Sequence, residues 1–350
     1  MPVMAWDGEE ELREHDADTG AWIVIAIHST RLGPAVGGTR MKPYPTPEEA
    51  ETDARRLSAA MTLKMAASGM PWGGGKGVLA IPAGLTPEGR RGLLHRYGRI
   101  VASLGGRYHT APDVGTSSED MDRIREAAGP LVFGCSEANG GSGPSGPATA
   151  LGVHAAIRVT CEETFGSTAL SGRSVLVQGA GSVGGALIDR LLADGARVSF
   201  SDVDAAAIRR TRERGIPFVE PAAALDAPCD VFSPCALGGV LTAGTAPRLR
   251  CRAVAGGANN QLADDAAAEA LAARGILYAP DFIANSGGAC SGIHMEADGW
   301  ARERAERDVE ERVIASLRAV FALARERRVT TDAAAREIAR RRLDGAGARR

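Results

Sequence analysis

The strongest constraint on this chain is a short apolar strand that runs straight into a glycine turn, Ser174-Val-Leu-Val-Gln178 followed by Gly179-Ala-Gly181-Ser182-Val183-Gly184. A GxGxxG alone marks only a glycine-rich turn. Here it follows a strand, opens a helical stretch running to Asp194, and is followed by a second strand, ARVSFS, that ends at Asp202. An acidic residue at that distance, roughly 20 residues on, completes a dinucleotide-binding fingerprint. Gly179 permits the tight turn, Gly181 lets backbone approach a pyrophosphate, and Gly184 lets the helix lie against the sheet. Ser182 and Val183 sit at the helix N-terminus, where free N–H groups and a partial positive charge suit phosphate. Asp202 is expected to accept from the ribose hydroxyls and to repel a 2′-phosphate, so the cofactor expected is NAD rather than NADP. Arg209 and Arg210 read as solvated helix residues.

Beyond Ser174 strands and helices alternate through CDVFSPC, RAVAGGA, the helix 263–274 and ILYAP, which implies an α/β fold with a parallel, doubly wound Rossmann-type sheet. Before it lies a second α/β region. AWIVIAI (21–27) reads as a strand. Thr46-Pro47-Glu48-Glu49 reads as an N-cap, first-turn proline and capping box. Thr86-Pro87-Glu88 and Ser117-Ser118-Glu119-Asp120 open two more helices. Between the regions, the Gly/Pro/Ser-dense stretch 139–147 reads as a linker or a hinge, and residues 300–327 form a long charged helix with Val309, Val313, Leu317, Val320 and Phe321 inward. A length of 350 residues suits two domains. The divisions expected are 1–135, 136–290 and a helical segment 291–350.

Net charge is −2, which points away from nucleic acid or an anionic membrane as the main partner. The acidic, polar start of the chain does not resemble a signal peptide, no apolar run is long enough to span a membrane, and no Cys-x-x-Cys pair occurs among the six cysteines. A cytoplasmic protein with reduced thiols and no bound metal is the expectation.

The chain's positive charge is overwhelmingly arginine, so Lys64 and Lys76 in MTLKMAASGMPWGGGKG (61–77) stand out. A lysine loses its proton when desolvated or set beside another cation; arginine does not. Lys64 ends an apolar helix. Lys76 follows three glycines, where backbone can crowd a ligand or where a surface loop could simply turn. Asp113, in TAPDVGT, lies in a short loop before a helix, as a cap residue would.

Six blocks in order, GPAVGGTRM (33–41), MTLKMAASGMPWGGGKG (61–77), TAPDVGTSSEDMD (110–122), PCALGGVLT (234–242), AGGANNQLAD (255–264) and APDFIANSGG (279–288), resemble the glutamate/leucine/phenylalanine/valine dehydrogenase superfamily. The resemblance implies reversible, NAD(P)-linked conversion of an amino acid to a 2-oxo acid and ammonia. It implies a substrate-binding and oligomerisation domain first, a cofactor domain second, last helices that return to the first domain, and a homo-oligomer. Residue by residue, it implies that Lys64 holds the substrate carboxylate, Lys76 activates water with a base form favoured by nearby Lys64, and Asp113 exchanges protons with the amine. Val36 and Gly37 would border the substrate. Asn259, Asn260 and Asn285 would orient substrate or nicotinamide, and Thr149, Cys235 and Ala236 would touch the cofactor.

Glutamate-type members carry a lysine where this chain has Val36. An apolar residue cannot compensate a second carboxylate, so an apolar amino acid is expected. Small residues after Gly288, Ala289 and Gly292 among them, suggest a roomy pocket, and TLKM, TAPDV and GILYAPDF are more similar to the phenylalanine type than to the leucine type. Phenylalanine is therefore favoured. Leucine or valine, or an unusual 2-oxo acid handled by a same-fold enzyme, stays open. Lys64, Lys76 and Asp113 together argue against a catalytically silent dinucleotide sensor.

Overall fold

The computed structural model describes residues 6–347. They form two units. One runs to Pro144 and includes Gly292–Arg302 and the segment from Ala339 onward; the other comprises Ser145–Ser291 and Glu303–Ile338. The chain thus passes between units at 144/145, later than the 135/136 division expected from sequence, and it crosses back more than once after residue 291.

The first unit is a five-stranded mixed sheet, β1 (Glu10–Asp16), β2 (Ala21–Ser29), β3 (Ala35–Lys42), β4 (Gly73–Ala80) and β5 (Tyr108–Pro112), in the order β1-β2-β4-β3-β5. Three helices accompany it, α1 (Pro47–Ala67), α2 (Pro87–Ser103) and α3 (Ser118–Ala128). Ile23, Ile25 and Ile27 of β2 share a core with Leu93, Leu94 and Tyr97 of α2 and Met121 and Ile124 of α3. Val24 and Ala26 face the other way, onto Ala50 and Ala54 of α1. Both faces of the strand are buried, which is why β2 is continuously apolar instead of alternating. The three helix starts lie where the sequence places them. Thr46, Thr86 and Ser117 each accept a backbone N–H three residues on, and at α3 Asp120 completes the reciprocal half of a capping box.

Residues 73–77 rule out the surface loop that the sequence left open. The glycine run is a fully buried strand and not a loop. Glycine is a poor strand former, but a Cβ on Gly74 would stand 2.0 Å from the Thr62 amide of α1. Only a bare backbone lets helix and strand approach so closely, with β2 and β3 supplying hydrogen bonds on either side.

The second unit contains α4 (Gly146–Phe165), β6 (Ser174–Gln178), α5 (Ser182–Ala193), β7 (Arg197–Ser201), α6 (Ala205–Glu213), β8 (Val231–Pro234), β9 (Ala253–Val254), α7 (Asp265–Ala273), β10 (Leu277–Tyr278) and α8 (Asp281–Ala284). Its sheet is entirely parallel, in the order β10-β9-β8-β6-β7. The end of the Gly/Pro/Ser-dense stretch already belongs to α4, with Pro147 in its first turn.

Three helices close the chain, α9 (Gly287–Glu296), α10 (Arg302–Arg327) and α11 (Thr331–Gly347). The five inward residues expected in the long charged helix, from Val309 to Phe321, are all buried. In the first unit, Arg342 donates to the Ala66 and Ala67 carbonyls, both at 2.7 Å, and so caps the C-terminus of α1. Glu296 ties α9 to the segment 134–142. Its Oε1 accepts from the Gly134 amide (2.6 Å), the Ser142 amide (3.0 Å) and the Ser142 hydroxyl (2.6 Å), and its Oε2 from Arg125 (3.0 Å). Its side chain is only 2% exposed.

Candidate active site

Strand register assembles the chemical groups of the first unit. Val36 pairs with Gly74 and Thr39 with Gly77, which sets Lys76 of β4 alongside Gly38 of β3. On its other side β3 pairs with β5, Gly38 with Ala111 and Thr39 with Pro112, so Asp113 emerges beside Arg40. A Cβ on Gly38 would stand 2.8 Å from the Cβ of Asp113; the missing side chain leaves the lane through which Lys76 and Asp113 meet. Gly37 is equally confined, its virtual Cβ 1.7 Å from the Gly75 carbonyl oxygen.

Lys76 Nζ lies 3.0 Å from Asp113 Oδ2, and Arg40 Nε donates to the same oxygen at 2.8 Å. Arg40 Nη1 also donates to Asp53 Oδ2 (3.0 Å), which accepts the Tyr44 hydroxyl (2.7 Å), while Arg56 donates to Asp53 Oδ1 (2.8 Å). Lys76 is buried. Burial pushes its ammonium below the ordinary lysine range; Asp113 opposes this and Arg40 reinforces it. Burial would raise Asp113, but the cations of Lys76 and Arg40 outweigh it and hold the carboxyl below its usual range. Burial would likewise raise Asp53, yet Tyr44, Arg56 and Arg40 bring it down to about 2. Arg40 adds a like-charge effect on Lys76, with burial the larger cause. Lys64 itself stands half-buried in the last turn of α1.

Val36 is buried, and its register partner on β5 is His109. The His109 ring stacks on Phe133 (5.3 Å between centroids) and meets Trp72 edge-on (5.0 Å). Burial lowers His109 to about 4, so it is neutral near pH 7. Sequence reasoning missed this aromatic group and Arg40 alike, because both depend on which strands become neighbours. Ala289 is partly buried on α9. Gly292, one turn before Glu296, is turned toward Ser142, whose Oγ would lie 3.4 Å from a Cβ there.

In the second unit the glycine turn leaves β6 at the point where strand order reverses, with β7 on one side and β8 on the other. Gly179 adopts φ 99° and touches Ala236, just beyond β8; a Cβ on Gly184 would strike the Gly179 carbonyl oxygen at 1.8 Å; the space facing Gly181 is open. Ser182 and Val183 open α5. Asp202 Oδ2 accepts the Ala180 amide (2.6 Å), and Oδ1 accepts those of Val203 and Asp204 (2.7 and 2.9 Å), which pins the carboxylate beside the turn. Asn285 Nδ2 donates to Asn259 Oδ1 (2.9 Å), and its own buried Oδ1 has no partner among the described residues. Asn260 is held in a left-handed conformation, φ 52°, with its amide donating to Asp281 (2.6 Å). The Thr149 hydroxyl donates to the Ser145 carbonyl (2.9 Å), and Cys235 Sγ accepts the Gly257 amide (3.4 Å). An open glycine cradle at a helix N-terminus, a fixed carboxylate after the second strand and a buried orphan acceptor together fit a dinucleotide.

The chain matches two family models. Residues 14–128 match the Glu/Leu/Phe/Val dehydrogenase dimerisation domain, and residues 208–350 match the Glutamate/Leucine/Phenylalanine/Valine dehydrogenase model. It is 38% identical to a leucine dehydrogenase of Geobacillus stearothermophilus over 97% of this chain and 91% of that protein. It is 42% identical to a valine dehydrogenase of Streptomyces albus over 96% and 92%. The crystal structure of L-tryptophan dehydrogenase from Nostoc punctiforme superposes with a TM-score of 0.82 at 37% identity, covering 98% of this chain and 97% of that one.

Proposed function

The chain belongs to the glutamate/leucine/phenylalanine/valine dehydrogenase family and is an amino-acid dehydrogenase acting on CH–NH2 donors, and from that premise we propose that it converts an apolar L-amino acid and NAD to the 2-oxo acid, ammonia and NADH. The observation that carries the reading is the buried Lys76 ammonium 3.0 Å from Asp113. A lysine so placed is poised to shed its proton and serve as a base.

In this reading Lys64 binds the substrate carboxylate, and Lys76 and Asp113 handle the protons. A bound nicotinamide would supply the hydride acceptor for the substrate Cα. Neutral Lys76 then takes a proton from the water that attacks the substrate iminium carbon. Asp113 receives a proton as the amine first deprotonates and returns it to the carbinolamine nitrogen; the C–N bond then breaks to release ammonia as the carbinolamine hydroxyl gives up its proton to solvent and becomes the 2-oxo carbonyl. Gly179, Gly181, Ser182, Val183 and Gly184 would hold the pyrophosphate, Asp202 the adenosine ribose, and Thr149, Cys235, Ala236 and Asn285 the nicotinamide side, while Asn259 and Asn260 would orient the substrate. A homo-oligomer accords with the match to a dimerisation domain. No helix among the described residues is long and apolar enough to cross a membrane.

Asp202 makes the cofactor choice testable. NAD is expected to exceed NADP in kcat/KM by about tenfold or more, because a 2′-phosphate would stand against a carboxylate. Equal use of the two would remove that role from Asp202.

For the side chain, buried Val36 and neutral His109 offer no cation to a second carboxylate, so L-glutamate should be turned over negligibly. In this reading the small residues Ala289 and Gly292 leave room for an aromatic ring, which supports phenylalanine. The 42% identity to a valine dehydrogenase favours a branched-chain substrate as a second reading. NADH formation at alkaline pH with each L-amino acid in turn separates them. Phenylalanine should exceed leucine and valine in kcat/KM by roughly tenfold or more; a preference for valine or leucine would establish the branched-chain reading, and a preference for glutamate would overturn both.

A further inference from the structure

We propose that Arg40 is a positioning residue for the proton-transfer pair: bridging Asp113 and Asp53, it fixes the Asp113 carboxylate against Lys76 and sets the pH range over which Lys76 works as a base. The inference rests on the reading of Lys76 and Asp113 as the proton carriers.

Two cations share one oxygen. Arg40 Nε and Lys76 Nζ stand 2.8 and 3.0 Å from Asp113 Oδ2. Asp113 follows the last residue of β5 and is not itself a strand residue, so its orientation needs a partner that is itself fixed. Arg40 is such a partner. Its planar guanidinium is gripped on the far side by Asp53 of α1, and Asp53 is held in turn by Tyr44 and Arg56. Arg40 and Asp53 are largely buried, with side chains 17% and 14% exposed, so these contacts are weakly screened. The bridge links β3, α1 and the loop after β5 into one frame around Lys76. A lysine in place of Arg40 would keep the charge but lose the fork that serves two carboxylates at once.

The charged groups facing Lys76 include Asp113 from the loop after β5, Arg40 from β3 and Asp53 from α1, the helix that also carries Lys64. Without the charge of Arg40, the two carboxylates are left to favour the ammonium form of Lys76, and the acid limb of activity moves to higher pH. Without the charge of Asp53, the surviving cation is less opposed, and the limb moves to lower pH. A role confined to packing has no reason to give opposite signs.

The experiment is the pH profile of kcat/KM at saturating NAD, for the wild type, Arg40→Met, Arg40→Lys and Asp53→Asn, with melting temperature and NAD affinity measured on each. Arg40→Met is expected to displace the acid limb upward by about one pH unit, the size of effect a neighbouring ion exerts, so that activity near neutral pH falls about tenfold and recovers in part at alkaline pH. Asp53→Asn is expected to displace the limb downward. Arg40→Lys should return the limb to its wild-type position while leaving kcat reduced. The inference is overturned if Arg40→Met lowers activity by one factor at every pH, or if the Met and Asn variants move the limb the same way. Should Arg40→Met fail to fold, an unmoved limb in Asp53→Asn overturns it, and a downward displacement there supports it. Lys76→Ala separates this from the underlying reading. High residual activity in that variant would remove Lys76 as the base, whereas an inactive Lys76→Ala beside unmoved limbs in the Arg40 and Asp53 variants would remove only the role of Arg40.

Discussion

Lys76→Ala is expected to lower kcat by roughly 10²–10⁴-fold, the usual consequence of removing a general base, and to leave NAD affinity unchanged. The size follows from how specific the environment of this amine is. Burial lowers its proton affinity and Arg40 lowers it further, while Asp113 at 3.0 Å keeps it oriented. Water admitted by the alanine has neither the basicity nor the fixed geometry. NAD affinity should not change because the cradle, Asp202 and Asn285 all lie in the unit that does not contain Lys76. Steady-state kinetics and a cofactor-binding titration on the purified variant check both halves. Retention of more than about a tenth of wild-type kcat would mean that Lys76 is not the base.

Glu296→Ala should produce the largest loss of stability without touching the proposed chemistry. The carboxylate is 2% exposed and accepts from two backbone amides, one hydroxyl and Arg125. Truncation strands the Gly134 and Ser142 amides and leaves Arg125 without its buried partner. Breaking such a pair costs about 3–5 kcal/mol when both partners are buried; Arg125 is 29% exposed, so about 3 kcal/mol is expected. Glu296→Gln keeps an acceptor for the amides and should cost about half as much. Urea unfolding of the three proteins measures this, and limited proteolysis should nick the alanine variant within residues 134–144. A Glu296→Ala protein with the wild-type denaturation midpoint would show that the segment is held by something else.

The parts of this molecule legible in its sequence are those governed by local rules. Thr46, Thr86 and Ser117 announce helix starts because an N-cap needs only neighbours in sequence. The glycine turn and Asp202 are legible because strand, turn, helix and second strand are consecutive. Residues 73–77 stayed open because glycine weakens an isolated strand, and what makes this one a strand is β2, β3 and the close approach of α1 around Gly74. The helix Gly146–Phe165 was obscured by its glycine- and proline-rich opening and by apolar residues on nearly every side, which leave no amphipathic stripe. Lys76 and Asp113 could be singled out by residue type, but their meeting at 3.0 Å depends on a register that skips across Gly38. Arg40 carried no signal as one arginine among many; only the pairing of β3 with β5 sets it beside Asp113.

The central claim, oxidative deamination linked to a nicotinamide dinucleotide, is tested most directly by product stoichiometry. The wild-type protein is incubated with NAD and an apolar L-amino acid carrying nitrogen-15 at the amine, and labelled ammonia, 2-oxo acid and NADH are measured in the same sample. One ammonia and one 2-oxo acid for each NADH is the result predicted. NADH formed without ammonia, or ammonia released without reduction of the cofactor, would contradict it.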